Sequence, residues 1–244
     1  MKHRVLALTL ILGAATLVFA QTAEQIIGRL EANETHETAY AEGRMLIHDR
    51  FGDRTTAFRS WSSGTDESLI EFTSAGERGQ KILRKDDQIY LYYPDASELI
   101  RLRGSALRDS VMGSDMSYED LTAGGGILAD YDADLAGIEE VAGNRAYRIE
   151  LEARTRDVAY ARQTIWIDEE RYVGLRTHMY SRSGDLLKVM DALEFEEQEG
   201  KIFAVRFRIE DRLRRDTYTE FVLDEIQIDV PIDDDRFSLE ELTW

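Results

Sequence analysis

Cysteine is missing from this 244-residue chain, and proline occurs only twice. The missing thiol excludes disulfides, thiolate zinc sites, a cysteine nucleophile and an N-terminal lipid-modified cysteine. Basic residues are scarce: 30 Lys and Arg stand against 48 Asp and Glu. The resulting charge of −18 argues against nucleic acid as the main partner, because the phosphate backbone repels it, and against simple electrostatic docking on anionic lipid. What is present is a globular balance, 43% hydrophobic and 32% charged. That is too apolar for disorder and too charged for a polytopic membrane protein. The length suits one large domain or two small ones.

Residues 1–20 read as a secretory signal. Lys2, His3 and Arg4 form a positive start, Val5 to Phe19 is apolar and uncharged, and Val18 and Ala20 fit a small-residue cleavage site before Gln21. The run is short for a membrane span. Removal leaves 28 basic and 48 acidic residues, a charge of −20. An exported, acidic, cysteine-free chain is expected in the periplasm, with residues 21–244 as one domain.

Thr22 to Glu37 has helical spacing at Ala23, Ile26, Ile27 and Leu30, and Thr22 with Gln25 forms a capping box. The period then becomes two. Strands are expected at Gly43–Phe51, Arg54–Trp61, Glu67–Phe72, Gln80–Lys85, Gln88–Tyr93 and Leu99–Leu102. The second half continues at Tyr131–Val141, Arg145–Arg154, Ala161–Asp168, Tyr172–Arg182, Leu186–Glu196, Ile202–Arg214 and Thr217–Ile228. Phe203, Val205, Phe207 and Ile209 alternate with Arg206, Arg208 and Glu210, so one face of that strand is apolar. An apolar face must be covered, and one early helix cannot cover so many strands. The sheet is therefore expected to curl around helices and enclose an apolar cavity.

Residues 103–130 break the strand rhythm. Ser117 and Asp120 signal a short helix Tyr118–Leu121, followed by Gly124–Gly126 as a flexible exit. Leu107, Val111, Met112, Met116 and Leu121 supply an apolar underside. The segment reads equally as a lid and as a plain crossover whose apolar residues fill the core.

Here the chain becomes familiar. Gly113-Ser114-Asp115-Met116-Ser117-Tyr118-Glu119-Asp120-Leu121 resembles the G-S-D-F-S-Y-E-D-L motif of the LolA-like, outer-membrane lipoprotein-sorting family. Ile165-Trp166-Ile167-Asp168, Ser183 to Lys188 and the ending Asp235 to Leu242 resemble it too. The resemblance implies a mainly β fold: a half-open antiparallel barrel of about eleven strands, helices over its mouth, and a cavity that receives acyl chains. It implies a monomeric periplasmic carrier of lipid or lipoprotein, without cofactor, serving an inner-membrane export complex and an outer-membrane acceptor. The family's K-R-P-x-x-F segment, whose arginine pairs with the lid, is replaced here by Ser62-Ser63-Gly64-Thr65-Asp66-Glu67. That lock cannot be carried over, and hydrophobic cargo is implied more firmly than lipoprotein. A non-catalytic accessory of a lipid or drug export complex is one alternative; a lipid-acting hydrolase is another.

Phe58, Leu91, Met112, Met116, Leu121, Trp166, Phe203, Val205 and Phe207 are the candidate cargo-binding residues. Register decides which of them look inward, since one slip reverses a strand's faces. Other candidates read more simply as structure. His36, His48 and His178 lie on separate elements with no metal spacing. Asp233-Asp234-Asp235 lacks the spaced ligands of a calcium loop, and Asp235 is expected to cap a C-terminal helix. Ser114 and Ser117 have no G-x-S-x-G elbow around them. Arg206, Arg208, Arg212, Arg214 and Arg215 read as a solvated face balanced by Glu210, Asp211 and Asp216 rather than a headgroup site.

Overall fold

The computed structural model describes residues 21–86, 88–121, 126–156 and 158–243. The expected signal segment and Gly124-Gly125 lie outside the described residues. Helix α1 spans Ala23–Glu34. Its start is closed by the expected capping box: Gln25 N–H donates to Thr22 Oγ1 at 3.3 Å, and Thr22 N–H donates to Gln25 Oε1 at 3.1 Å.

Thirteen strands follow in the described residues: β1 Thr38–Asp49, β2 Gly52–Ser63, β3 Glu67–Phe72, β4 Lys81–Lys85, β5 Gln88–Tyr93, β6 Glu98–Leu102, β7 Tyr131–Val141, β8 Asn144–Ala153, β9 Arg162–Asp168, β10 Gly174–Tyr180, β11 Leu186–Gln198, β12 Lys201–Asp211 and β13 Tyr218–Ile228. Short helices α2 (Tyr118–Leu121), α3 (Ile127–Asp130) and α4 (Leu239–Leu242) complete the fold. The strand count exceeds the eleven implied by resemblance. An open sheet has no closure condition to fix its number.

All thirteen strands form one antiparallel sheet in the order β6-β5-β4-β3-β2-β1-β13-β12-β11-β10-β9-β8-β7. Two meanders meet where the first strand pairs with the last, Ala39 opposite Ile228 through His48 opposite Tyr218. β6 and β7 are the two edges, so the chain between them must cross the molecule. At the seam the register slips between Glu42 and Gly43. A Cβ on Gly43 would lie 2.6 Å from the Val222 carbonyl oxygen, so glycine permits the bulge.

Alternation sorts the side chains. On the inner face of the first meander, Met45, Phe58, Ile70, Phe72, Ile82 and Leu91 form one core with Val111, Met116 and Tyr118 of the crossing segment. On the second, Ile149, Leu151, Ile165 and Ile167 pack under Ile26, Ile27 and Leu30 of α1. The outer face carries a smaller cluster in which Phe237 and Leu242 cover Leu69 and Leu83. The cap of α4 is Ser238, whose hydroxyl accepts from Glu241 N–H at 3.1 Å, rather than Asp235. Asp235 instead lies in a 3-10 turn, Asp234–Phe237, that precedes the cap.

Candidate functional site

The crossing segment holds the family motif, and three polar anchors fix it to the sheet. The first is the buried Asp115. Thr217 Oγ1 donates to Asp115 Oδ1 at 2.6 Å, and Thr219 Oγ1 donates to Oδ2 at 2.9 Å. Asp115 N–H donates back to Thr219 Oγ1 at 2.9 Å. The carboxylate thus has its lone pairs satisfied, as a buried charge requires.

The second anchor is a pair of arginines. Met112 adopts φ 51° and Gly113 φ 73°, a left-handed turn that exposes the local carbonyls. Arg214 donates to the carbonyls of Ser114 at 2.7 Å and Gly113 at 3.1 Å, and Arg54 donates to that of Met112 at 3.1 Å. Here Arg54 and Arg214, from two hairpin ends, hold the motif loop.

The third anchor is Asp120. It caps its own turn by accepting from Ser117 N–H at 2.9 Å, accepts from Tyr160 Oη at 2.6 Å, and pairs with Lys188 of β11. The Lys188 and Asp120 side chains are both nearly buried. Burial and the Asp120 charge push the Tyr160 phenol far up, so it stays a donor. Tyr118 is likewise pushed up, first by burial and then by its bond with Tyr93. Glu119 is raised by burial, with Arg108 opposing.

With these anchors the segment fills the first meander. Met112, Tyr118, Phe72, Leu91 and Tyr93 surround only about 10 Å³ of space, room for one water at most. Phe58, Leu91, Met112, Met116, Leu121 and Phe207 all belong to this packed core. Phe203 and Val205 differ. They share the face of Phe207 and Ile209 by alternation, are half-buried, and among the described residues join neither the core under the motif nor the core under α1. They form an apolar strip on the stretch of β12 that α1 approaches, where Ile202 N–H donates to Asn33 of the helix.

Trp166 is corrected. Its neighbours Ile165 and Ile167 point inward to α1, so Trp166 faces outward. There it donates to Glu139 at 2.8 Å and meets the edge of His178 at 4.7 Å. A strand apolar on both faces has two different surroundings, and Trp166 occupies the outer one.

At the C-terminal end of α1, Glu34 is solvent-exposed but crowded by neighbouring protein. Burial, then the Glu31 carboxylate, push its carboxyl up to about 7. Glu31 itself accepts from Ile127 N–H at 2.6 Å, joining α1 to α3. Asn33 ties the same helix end down by donating to the Arg171 and Tyr172 carbonyls at 3.0 and 2.9 Å.

The remaining candidates are structural. Ser114 is fully buried and its hydroxyl exchanges bonds with Met116 backbone, while Ser117 caps α2 through Asp120 N–H. Neither is presented as a nucleophile. Among the described residues no group of three His, Asp or Glu side chains is placed to hold a metal. Of the arginines, Arg206 and Arg208 converge on buried Glu220, and Arg212 pairs with Glu210. Arg214 left that face for the motif. Sequence reading missed Arg54, Arg214, Thr217, Thr219 and Tyr160 as anchors. Lys188 carried a signal, a lone cation between Leu186-Leu187 and Val189-Met190.

A family model described as "Uncharacterized protein" matches residues 64–244. The chain belongs to that family. No curated protein sequence matches it. Among solved structures, a DUF1329 family protein from Desulfovibrio piger is 27% identical, with a TM-score of 0.82 over 89% of this chain and 96% of the other. A domain named for outer membrane lipoprotein sorting, from Vibrio parahaemolyticus, is 20% identical with a TM-score of 0.82 over 90% and 97%. A LolA superfamily protein from Nitrosomonas europaea is 22% identical with a TM-score of 0.76 over 91% and 100%. The fold is LolA-like, an open β-barrel with covering helices. In this LolA-like sheet the motif loop is a pinned plug over one half, and α1 covers the other. Among the described residues no helix is long and apolar enough to cross a membrane.

Proposed function

We propose that this protein is an exported, periplasmic, non-catalytic carrier. It takes acyl chains of a lipid or lipoprotein onto its inner sheet face and delivers them toward the outer membrane. The observation that carries this reading is the apolar strip of Phe203 and Val205, half-buried beside α1 and outside both packed cores. An acyl chain laid there gains about 0.8 kcal/mol per buried CH₂ with no catalytic group. The motif is held by Asp115 and Asp120, so entry is through movement of α1. The name of the Vibrio parahaemolyticus domain agrees with such a role. The acidic exterior keeps a greasy carrier soluble between hand-offs. Release needs an acceptor that binds the chain or the open form better.

The tight packing around Met112 and Tyr118 favours a second reading, an accessory that docks on an export complex and never loads lipid. Native mass spectrometry of protein recovered from the periplasm, with extraction of bound lipid, decides between them. A stoichiometric acylated species supports the carrier and identifies its cargo. A clean apo mass that takes up no added lipid or lipopeptide overturns it.

A further inference from the structure

The two most exposed large apolar residues of the described chain are Phe51, 84% exposed, and Leu213, 73% exposed. They are far apart in sequence and close in the fold. Phe51 tips the β1–β2 hairpin, where Asp49 pairs with Gly52. Leu213 tips the connection between β12 and β13. Because β1 pairs with β13, and His48 lies opposite Tyr218, both tips project from the same end of the sheet. Beside Phe51, and two residues from Leu213 in the chain at Arg215, lies a cleft of about 320 Å³ lined by Asp49, Arg50, Phe51, Arg214, Arg215 and Thr217.

The charges in this cleft are unusual for the molecule. Its one acid, Asp49, already holds Arg54 at 3.3 Å and accepts from Phe51 N–H at 2.7 Å. Three guanidiniums line the same space. Arg214 is committed to the motif loop. Arg50 lies over the Phe51 ring, 4.6 Å from its centroid, and Arg50 and Arg215 have no acidic partner among the described residues. In a chain with 48 acids and 30 bases, this end offers two spare cations beside the exposed Phe51. Glu210, Asp211 and Asp216 line the adjoining cleft, so the two cations act only at short range, within the about 8 Å that ionic screening allows at physiological salt.

We propose that these paired hairpin tips are a membrane-docking wedge. Phe51 and Leu213 enter the headgroup–acyl boundary of a phospholipid leaflet, and Arg50 and Arg215 bond headgroup phosphates. The geometry follows the physics of interfacial anchoring, in which shallow apolar insertion supplies most of the binding and flanking cations orient it. The wedge lies at the end of the sheet where Arg54 and Arg214 grip the motif loop, so docking brings the anchored crossing segment to the membrane. It does not depend on what the inner face carries.

Flotation tests it. Exported protein, its N-terminus fixed by mass, is mixed with phosphatidylethanolamine vesicles containing about one quarter phosphatidylglycerol, an anionic surface of ordinary density. The protein is expected to float with the vesicles. The double variant Phe51→Ser, Leu213→Ser is expected to bind roughly tenfold or more weakly, from the loss of two buried apolar groups. Arg50→Ala with Arg215→Ala is expected to weaken flotation too, by less than the Phe51/Leu213 variant does. All these side chains are exposed, so circular dichroism and melting should match the parent. Ile138→Ser, at an exposed apolar site elsewhere, floats as the parent does. Val205→Asp also floats normally, which separates docking from cargo binding. Failure of the parent protein to float, equal flotation of the Phe51/Leu213 variant, or equal loss in Ile138→Ser overturns the proposal.

Discussion

Asp115 and Thr219 hold each other reciprocally: the Asp115 backbone N–H donates to Thr219 Oγ1 at 2.9 Å, and that hydroxyl donates to the Asp115 carboxylate at 2.9 Å. Both residues are buried, and 104 positions separate them. The pair makes the motif loop and β13 one mechanical unit. Asp115→Ala removes the acceptor of Thr217 and Thr219 and leaves their hydroxyls and nearby Arg214 without it. A loss of about 3–5 kcal/mol is expected in urea unfolding. Thr219→Val, which strands the Asp115 N–H, should cost about 1–3 kcal/mol.

The Lys188–Asp120 pair should control the plug's local stability. Lys188→Met leaves Asp120 with Ser117 and Tyr160 alone. Hydrogen exchange in residues 109–121 is expected to quicken, while β1 and β13 keep their protection. Equal acceleration everywhere would show that the pair stabilises the fold globally and latches nothing.

Two glycines should respond with opposite signs. Gly43→Ala drives a methyl against the Val222 carbonyl and the Phe58 ring, at 2.6 and 3.0 Å, and should cost about 1–3 kcal/mol. Gly28 lies within α1 with nothing within 4 Å of an added Cβ, so Gly28→Ala should add about 0.5–1 kcal/mol. Urea midpoints of the two variants check both.

Glu34 and Glu220 should give opposite pH slopes. The folded value of Glu34 is raised to about 7 from 4.5. The folded state therefore holds its proton more tightly, and this group erodes stability as pH rises from about 4.5 to 7. Glu34→Gln should melt higher than the parent at pH 8 and equally at pH 4. Burial acts to raise Glu220, but the bonds from Arg206 and Arg208 outweigh it and lower the value. Its stabilisation is complete above 4.5 and is lost as pH falls through the folded value. Glu220→Gln should thus melt lower at pH 7, with the gap closing in acid.

Cargo uptake should separate the two strand residues that sequence reading grouped together. Val205→Asp places a charge on the apolar strip and should abolish lipid retention in native mass spectrometry. Trp166→Phe alters only the outer face and should retain the parent's lipid load.

The strands were legible because alternation and turn residues recur with little interruption, and all thirteen expected segments overlap observed ones. Helix α1 was legible through Thr22 and Gln25, and α2 through Ser117 and Asp120. Trp166 shows what alternation leaves open. Ile165-Trp166-Ile167 is apolar throughout, so no polar residue marks which side is inward. The anchors were hidden for another reason. Asp115 finds Thr217 and Thr219, and Arg214 finds Ser114, across about a hundred residues, and nothing local to either partner announces the other. Helix α3 was missed because four residues are too few to set a period.

The seam between β1 and β13 bears on how the protein is made. The first strand to emerge stays half-paired until the last one arrives, because β13 alone joins β1 to β12. A chain that stops short of β13 leaves two open edges at the centre of its sheet, and the Asp115 anchor without Thr217 and Thr219. The centre of the sheet is therefore its last part to close, and it closes only once every strand from β2 to β13 has been made.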